Sequence, residues 1–199
     1  MSNSLGGLSK GIAYDGHRIW TANSAFGGGV SIITLNPTNV TTVTSGFNSL
    51  YGVVYDGSNM WVTDDTPGTV DKLHKLDSSG NILLSVDMGN TPEFPAFDGT
   101  NIWVPNFNSN TVTVVRATGG FAGTVLTTLS GNGLSWPVSA AFDGERILVT
   151  NFRGSVSLWK SSDLTPIGTF PTGASAFGAC SDGLNFWITL SGSGKLARF

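Results

Sequence analysis

Phe97-Asp98-Gly99-Thr100-Asn101-Ile102-Trp103-Val104-Pro105-Asn106 is one copy of a pattern that recurs along the chain, and the recurrence decides the fold. The dipeptide Asp-Gly stands at positions 15, 56, 98, 143 and 182, so successive copies are 41, 42, 45 and 39 residues apart. Tyr14, Tyr55, Phe97 and Phe142 precede the Asp. Trp20, Trp61, Trp103 and Trp187 follow it by five residues, with Leu148 at that place in the fourth copy. Asn23, Asp64, Asn106 and Asn151 follow it by eight, and Leu190 stands there in the fifth. A fixed period of this length marks a chain built from repeated supersecondary units.

Within the second copy the residues read as strand (51–55), turn (56–59), strand (60–64), turn, strand (70–76), turn and strand (82–88). Asp-Gly suits the first turn because Asp bonds nearby backbone and Gly accepts a positive φ without a Cβ clash. Thr66-Pro67-Gly68 and Ser78-Ser79-Gly80-Asn81 break the chain at the later turns. The unit is a four-stranded antiparallel meander, and four short strands repeated at this period predict an all-β fold, a β-propeller of five blades. The blades are expected at about 8–49, 50–91, 92–136, 137–175 and 176–199, in a single domain spanning 1–199.

Packing supports blades over a sandwich or a straight stack. Ala13 and Gly11, Val54 and Gly52, Ala141 and Ser139, and Cys180 and Gly178 put small side chains on one face of each first strand. The aromatic residue beside the Asp stands on the other face, so the large face of one blade can fill the small face of the next. Cys180 takes a small-face position and is expected to be a buried, inert thiol; being alone, it makes no internal disulfide. Pro95 is expected at a strand start or edge. The fifth copy ends inside its third strand, so Ser2 to Gly7 are expected to supply the missing outer strand of the last blade. Two other arrangements stay open: two chains sharing a larger ring of about nine or ten blades, or a part of a longer propeller.

Composition agrees. Of 199 residues 27 are Gly and 8 are Pro, which leaves little room for long helices, and the longest Gly- and Pro-free run (106–118) carries the β-branched string Thr111-Val112-Thr113-Val114-Val115. Only 12% of residues are charged and the net charge is -3, with no cluster of one sign, so neither nucleic-acid nor membrane-surface binding has an electrostatic footprint. No apolar stretch is long enough to span a bilayer, and Met-Ser-Asn-Ser-Leu-Gly-Gly lacks the charged and apolar parts of a leader, so the expectation is a soluble chain. Few charges and abundant Ser, Thr and Asn lean towards an extracellular setting.

Phe97-Asp98-Gly99-Thr100-Asn101-Ile102-Trp103-Val104 with Asn106, followed by Asn110-Thr111-Val112-Thr113-Val114, resembles the repeats of bacterial YVTN, NHL and streptogramin-lyase-like propellers, and the likeness spans nearly the whole chain. The resemblance implies a blade architecture rather than one activity. Gly16-His17 is similar to the Gly-His of WD40 repeats, but the chain holds no Trp-Asp dipeptide. Lyase members would imply a catalytic His and a carboxylate-bound magnesium ion in a larger ring, and the two His and two Glu of this chain do not map onto that site.

Nor do the residues show convergent chemistry. His17 and His74 fall in different structural slots, as do Glu93 and Glu145, so no metal set, carboxylate pair or nucleophile with its base emerges from the spacing. Gly27-Gly28-Gly29 lacks the Lys of a phosphate loop. Asp64, Asp65 and Asp71 lack the further regularly spaced oxygens of a calcium loop. No catalytic residue, metal or cofactor is assigned.

The loops at one end of the blades carry the more informative residues. In the second hairpins Asn23, Asp64, Asn106 and Asn151 read as caps of their own turns. Beside them Phe26, Asp65, Phe107, Asn108, Phe152 and Arg153, and in the loops leading to first strands Phe94, Trp136 and Phe177, form the mixture of aromatic and hydrogen-bonding groups that receives sugars or peptides. The expected function is a non-catalytic binding module for a small molecule, glycan or peptide, as a monomer, with a homodimer possible. The alternatives are a lyase-like or hydrolytic enzyme and a partial propeller that self-assembles.

Overall fold

The computed structural model describes residues 5–24 and 28–199. Phe26, and Ser2 to Ser4 of the expected closing segment, lie outside them. Five consecutive antiparallel meanders make a β-propeller of five blades, and the chain divides into two compact units, Met1–Phe94 and Pro95–Phe199.

The first unit holds blades 1 and 2. Blade 1 is β1 (Leu8–Tyr14), β2 (Arg18–Ser24), β3 (Gly29–Leu35) and β4 (Thr38–Val43). Blade 2 is β5 (Leu50–Tyr55), β6 (Met60–Asp64), β7 (Lys72–Leu76) and β8 (Ile82–Asp87), close to the strands read from the sequence. β7 begins at Lys72 because the Asp71 carboxylate is engaged outside the ladder, accepting the N–H groups of Thr66 (2.8 Å) and Thr91 (2.7 Å). Trp20, Ala22, Val30 and Ile32 of blade 1 pack on Leu50, Val53, Met60, Val62 and Leu76 of blade 2. Each fully buried aliphatic side chain of this kind is worth about 1.5–3 kcal/mol.

The second unit holds blades 3 to 5: β9 (Ala96–Phe97), β10 (Asn101–Asn106), β11 (Thr111–Arg116) and β12 (Val125–Leu129); β13 (Pro137–Phe142), β14 (Arg146–Asn151), β15 (Ser155–Lys160) and β16 (Pro166–Pro171); β17 (Ala176–Ser181), β18 (Phe186–Leu190) and β19 (Lys195–Arg198). A 3-10 turn, Gly119–Phe121, lies between β11 and β12. Pro95 stands just ahead of β9, where its missing N–H interrupts no ladder. Trp103, Val112 and Val114 pack on Ile147, Val149 and Trp159, and Leu148, Val156 and Leu158 pack on Phe186, Ile188 and Leu190.

The interlock of small and large faces is present in both units. Tyr55 joins the blade 1–blade 2 core beside Ala13, and Phe142 joins the blade 3–blade 4 core beside Ala96. The approach of β1 to β5 is so close that a Cβ on Gly11 would lie 2.6 Å from the Tyr51 carbonyl oxygen and 3.0 Å from the Val53 nitrogen.

The repeated Asp is the hub of each first turn. In blade 3 the Asp98 Oδ1 accepts the N–H groups of Thr100 (2.8 Å) and Asn101 (2.7 Å), while Oδ2 accepts the indole N–H of Trp103 (2.7 Å). In blade 4, where Leu148 replaces the Trp, Arg146 supplies the missing donor and reaches Asp143 with Nε and Nη2, each at 2.7 Å. The Gly after each Asp adopts a φ of +88° to +107°, the region that excludes a Cβ at low cost.

Two expectations need correction, and a third falls partly outside the described residues. Cys180 is exposed, on the face of blade 5 turned away from blade 4, where Leu196 is likewise 62% exposed; the sequence position is small, but no side chains of its own unit cover it. The fifth sheet has three strands among the described residues; residues 2–4 of the expected closing segment lie outside those residues, and the Gly6 N–H donates to Ser31 Oγ of blade 1 at 3.4 Å. The Asn and Asp residues eight places after the hub do not simply cap their own turns. Asn151 Nδ2 donates to Ser155 Oγ and Ser157 Oγ, and its Oδ1 accepts the Ser135 N–H, tying β15 to the segment ahead of β13.

Candidate functional site

The first strand of four of the five blades contains an irregularity that the repeat explains. The ladder slips between Ser9 and Gly11, Leu50 and Val53, Pro137 and Ala140, and Ala176 and Ala179, bracketing in turn Lys10, Tyr51, Val138 and Phe177, each five residues ahead of its Asp. Glu93 holds that place in the third copy, ahead of the shortened β9. A bulge adds an unpaired residue and re-aims its side chain. Threonines pin these bulges from one blade to the next. Thr63 Oγ1 accepts the Gly52 N–H (2.8 Å) and donates to the Glu93 carbonyl (2.9 Å), and Thr150 Oγ1 accepts the Ser139 N–H (3.0 Å) and donates to the Phe177 carbonyl (2.6 Å).

In the second unit four of the residues singled out from the sequence come together. Phe107 and Trp136 stack with centroids 5.4 Å apart and planes at 29°, and Phe152 lies 6.3 Å from each. The Arg153 guanidinium sits over the Trp136 ring, 3.7 Å from its centroid. All three aromatic side chains are half-buried, while Arg153 and Asn108 are exposed. A shallow groove of about 540 Å³ runs beside them, lined by Trp136, Phe152, Arg153, Gly154, Pro171 and Ala174, among others.

The backbone beneath this cluster is unusual. Trp136 has φ 54°, a left-handed conformation that a bulky residue rarely takes and that costs about 1–2 kcal/mol. It is held there from both sides: its N–H donates to Asn110 Oδ1 at 2.7 Å, and its carbonyl accepts the Phe152 N–H at 2.9 Å. Asn110, itself at φ 54°, was not among the residues the sequence marked as binding, although it closes the hairpin after Phe107. Phe177 stands apart on β17, 41% exposed, its carbonyl held by Thr150.

Asp65 and Phe94 belong to the first unit. Phe94 is half-buried at its end. Asp65 lines a cavity of about 310 Å³ with Leu8, Lys10, Asn48, Tyr51 and Pro67. Burial, together with the charges of Asp71 and Asp64, raises the Asp65 carboxyl above its ordinary range. Glu93 is 9% exposed, and burial pushes its carboxyl up to about 7, opposed by Lys10 and reinforced by Asp65. Burial and the charges of Glu93 and Asp65 raise the Tyr51 hydroxyl. Glu93, Lys10 and Tyr51 share one position in successive copies, five residues before the Asp of Asp-Gly. His74 is satisfied: its Nδ1 meets Ser85 Oγ at 2.8 Å and its Nε2 meets Asp64 Oδ2 at 3.3 Å.

No protein-family model matches the chain, and no curated protein does. Among solved structures it is similar to a chain in the crystal structure of a nidogen/laminin complex, with a TM-score of 0.74 and 14% identity, over 97% of this chain and 76% of that one. At that identity the likeness is one of fold, and it agrees with the propeller class.

Proposed function

We propose that the protein is a non-catalytic binding module whose ligand lies across Phe107, Trp136 and Phe152 and is anchored by Arg153. The observation that carries this reading is the left-handed Trp136: backbone strain held by two hydrogen bonds presents a large aromatic side chain beside an open groove, where burial alone would not require it. The C–H faces of a sugar stack on such a platform, and the Arg153 guanidinium, fixed on the indole, leaves its edge donors for a carboxylate. An acidic glycan therefore fits first. A peptide with an acidic residue beside an apolar one uses the same groups. The similar fold in a nidogen/laminin complex fits a binding role. The resemblance to YVTN, NHL and streptogramin-lyase-like repeats enters this reading for the blade-shaping residues, without lyase chemistry.

The test is a glycan array that includes uronic acids, run beside a peptide array, with wild type and Trp136→Ala. Signals on acidic sugars or acidic peptides that vanish in the variant support the reading. Arrays blank for the wild type, or signals unchanged by the substitution, refute it.

A further inference from the structure

The repeated Trp reports how well each blade is covered by the one that follows it. Trp20 is buried in the core it forms with Leu50 and Met60 of blade 2, and Trp103 is buried in the core it forms with Ile147 and Val149 of blade 4. Trp187 of blade 5 is only half-buried. The register sets Cys180 opposite Trp187 and Leu196 opposite Thr189, so Cys180, Trp187 and Leu196 share one face of the sheet, while Phe186 and Ile188 on the other face join the core with blade 4. Cys180 is exposed and Leu196 is 62% exposed, so this trailing face of blade 5 lies open.

The opposite, leading face is open on blade 1. In blade 2 the face presented to Trp20 carries Val53 three residues before the hub Asp, Met60 four residues after it, and Leu76 paired with Met60, and all three are buried. In blade 1 these places belong to Ile12, Ile19 and Ile33, the last paired with Ile19. They are apolar, as such a contact requires, yet Ile12 is 71% exposed and Ile19 and Ile33 are half-buried. Tyr14, the counterpart of Tyr55, is exposed as well. Apolar residues that stand open together, in register with a set that is buried elsewhere in the same chain, mark an interface rather than scattered surface side chains.

We infer that these two faces bind each other between copies of this chain: the trailing face of blade 5 in one copy receives the leading face of blade 1 in another, head to tail. The inference does not rest on the aromatic cluster. Its pattern is the contact already made inside each unit, where Ala13 of blade 1 and Ala141 of blade 4, two residues before their hub Asp, leave room for the larger side chains of the next blade. Cys180 holds that small place in blade 5, and Ile12 and Tyr14 hold the large places of Val53 and Tyr55. A second copy brings both halves in the same register, which a partner of unrelated sequence does only by coincidence.

Sedimentation velocity of the whole chain, from about 1 to about 100 μM, should show dimers or longer assemblies that grow with concentration. Ile12→Glu spoils the leading face and Leu196→Glu the trailing face. Both sites are exposed, so each variant should keep the wild-type urea midpoint, and each alone should associate at least ~10-fold more weakly. An equimolar mixture of the two should pair more tightly than either alone and stop at the dimer, because one intact leading face meets one intact trailing face; a contact between like faces gives no such rescue. Cys180 should react freely with a maleimide in Ile12→Glu and become protected as the wild type associates. Leu83→Glu, at an exposed site on the outer strand of blade 2, should associate as wild type. Where a Glu variant loses its fold in the urea melt, Ile12→Thr and Leu196→Thr repeat the mixing experiment. A wild type that stays monomeric throughout overturns the inference: with Cys180 protected the chain covers its own faces, and with Cys180 reactive the faces serve something other than a second copy. Association that survives both substitutions, or a mixture that fails to pair, overturns it as well.

Discussion

The indole N–H of Trp61 donates to Asp56 Oδ2 at 2.7 Å, joining the first turn of blade 2 to the middle of its second strand. The same pair recurs as Trp20 with Asp15 (2.8 Å), Trp103 with Asp98 (2.7 Å) and Trp187 with Asp182 (2.8 Å). One side chain therefore closes the turn through its Oδ1 and locks the core Trp through its Oδ2, which is why Asp-Gly and Trp keep a fixed spacing through the chain. The Asp56 side chain is 2% exposed, and the Lys75 ammonium lies 3.6 Å from its Oδ2.

Removing the indole N–H without removing the aromatic body isolates this bond. Trp61→Phe should lower stability by about 2–3 kcal/mol, since a hydrogen bond to a buried charge is lost and the smaller ring leaves a gap. Trp187→Phe should shift the urea midpoint less, because its Asp182 partner is exposed to solvent. Equal shifts would mean that burial of the Asp does not set the strength of the clamp.

Two glycines separate steric from conformational demands. Gly11 has ordinary backbone, but its added Cβ would strike the Tyr51 carbonyl and the Val53 nitrogen, neither of which yields without moving β5. Gly99 has φ +94° and open space around it. Gly99→Ala should cost about 1 kcal/mol through strain alone, and Gly11→Ala more than ~2 kcal/mol. The order of the two thermal midpoints checks the claim, and a reversed order would show that β1 has room to move.

Glu93 makes a prediction of opposite sign to the usual carboxylate. Its folded value, about 7, lies above its ordinary 4.5, so the folded state holds the proton more tightly. Its contribution to stability is complete below about 4.5 and is lost as pH rises through about 7. Glu93→Gln should therefore leave stability nearly unchanged at about pH 4.5 and exceed wild type by up to roughly 3 kcal/mol at about pH 8. Asp15 runs the other way: its hydrogen bonds from Trp20, Arg18 and His17 outweigh burial and hold it at about 2, so its contribution is present above the ordinary 3.8 and disappears as pH falls through about 2. Denaturant melts across this range measure both.

The repeat was legible because its residues act locally: Asp15, Gly16 and Trp20 lie within one hairpin, and the turn residues on either side placed β6 at Met60–Asp64. The bulged position was not, because strict alternation leaves no slot for an extra residue; the slips that re-aim Lys10 and Tyr51 appear only in the strand register. Cys180 was misjudged for a different reason, since its burial depends on what covers blade 5 and not on β17 itself. Phe107, Trp136 and Phe152 were recognisable as loop aromatics, yet their stacking depends on the left-handed turn at Trp136, which no local rule assigns to Trp.

That turn gives a way to test the aromatic platform without touching the rings. Asn110 accepts the Trp136 N–H through Oδ1, and Asn110 itself sits at φ 54°. Asn110→Asp keeps the acceptor and the tolerance for this φ, so ligand binding should stay near wild type. Asn110→Gly relieves the backbone strain but removes the acceptor, so stability should hold or rise by a few tenths of a kcal/mol while binding falls ~3–10-fold. Phe107→Ala and Phe152→Ala remove the platform directly and should weaken binding by at least ~10-fold, with stability reduced by less than ~1.5 kcal/mol because both rings are half-buried. The comparison is made by titrating the best array hit into each variant alongside urea melts. If Asn110→Gly binds as wild type, the strained Trp136 serves the packing of its own blades and not a ligand; if both Phe variants lose several kcal/mol, the rings belong to the core.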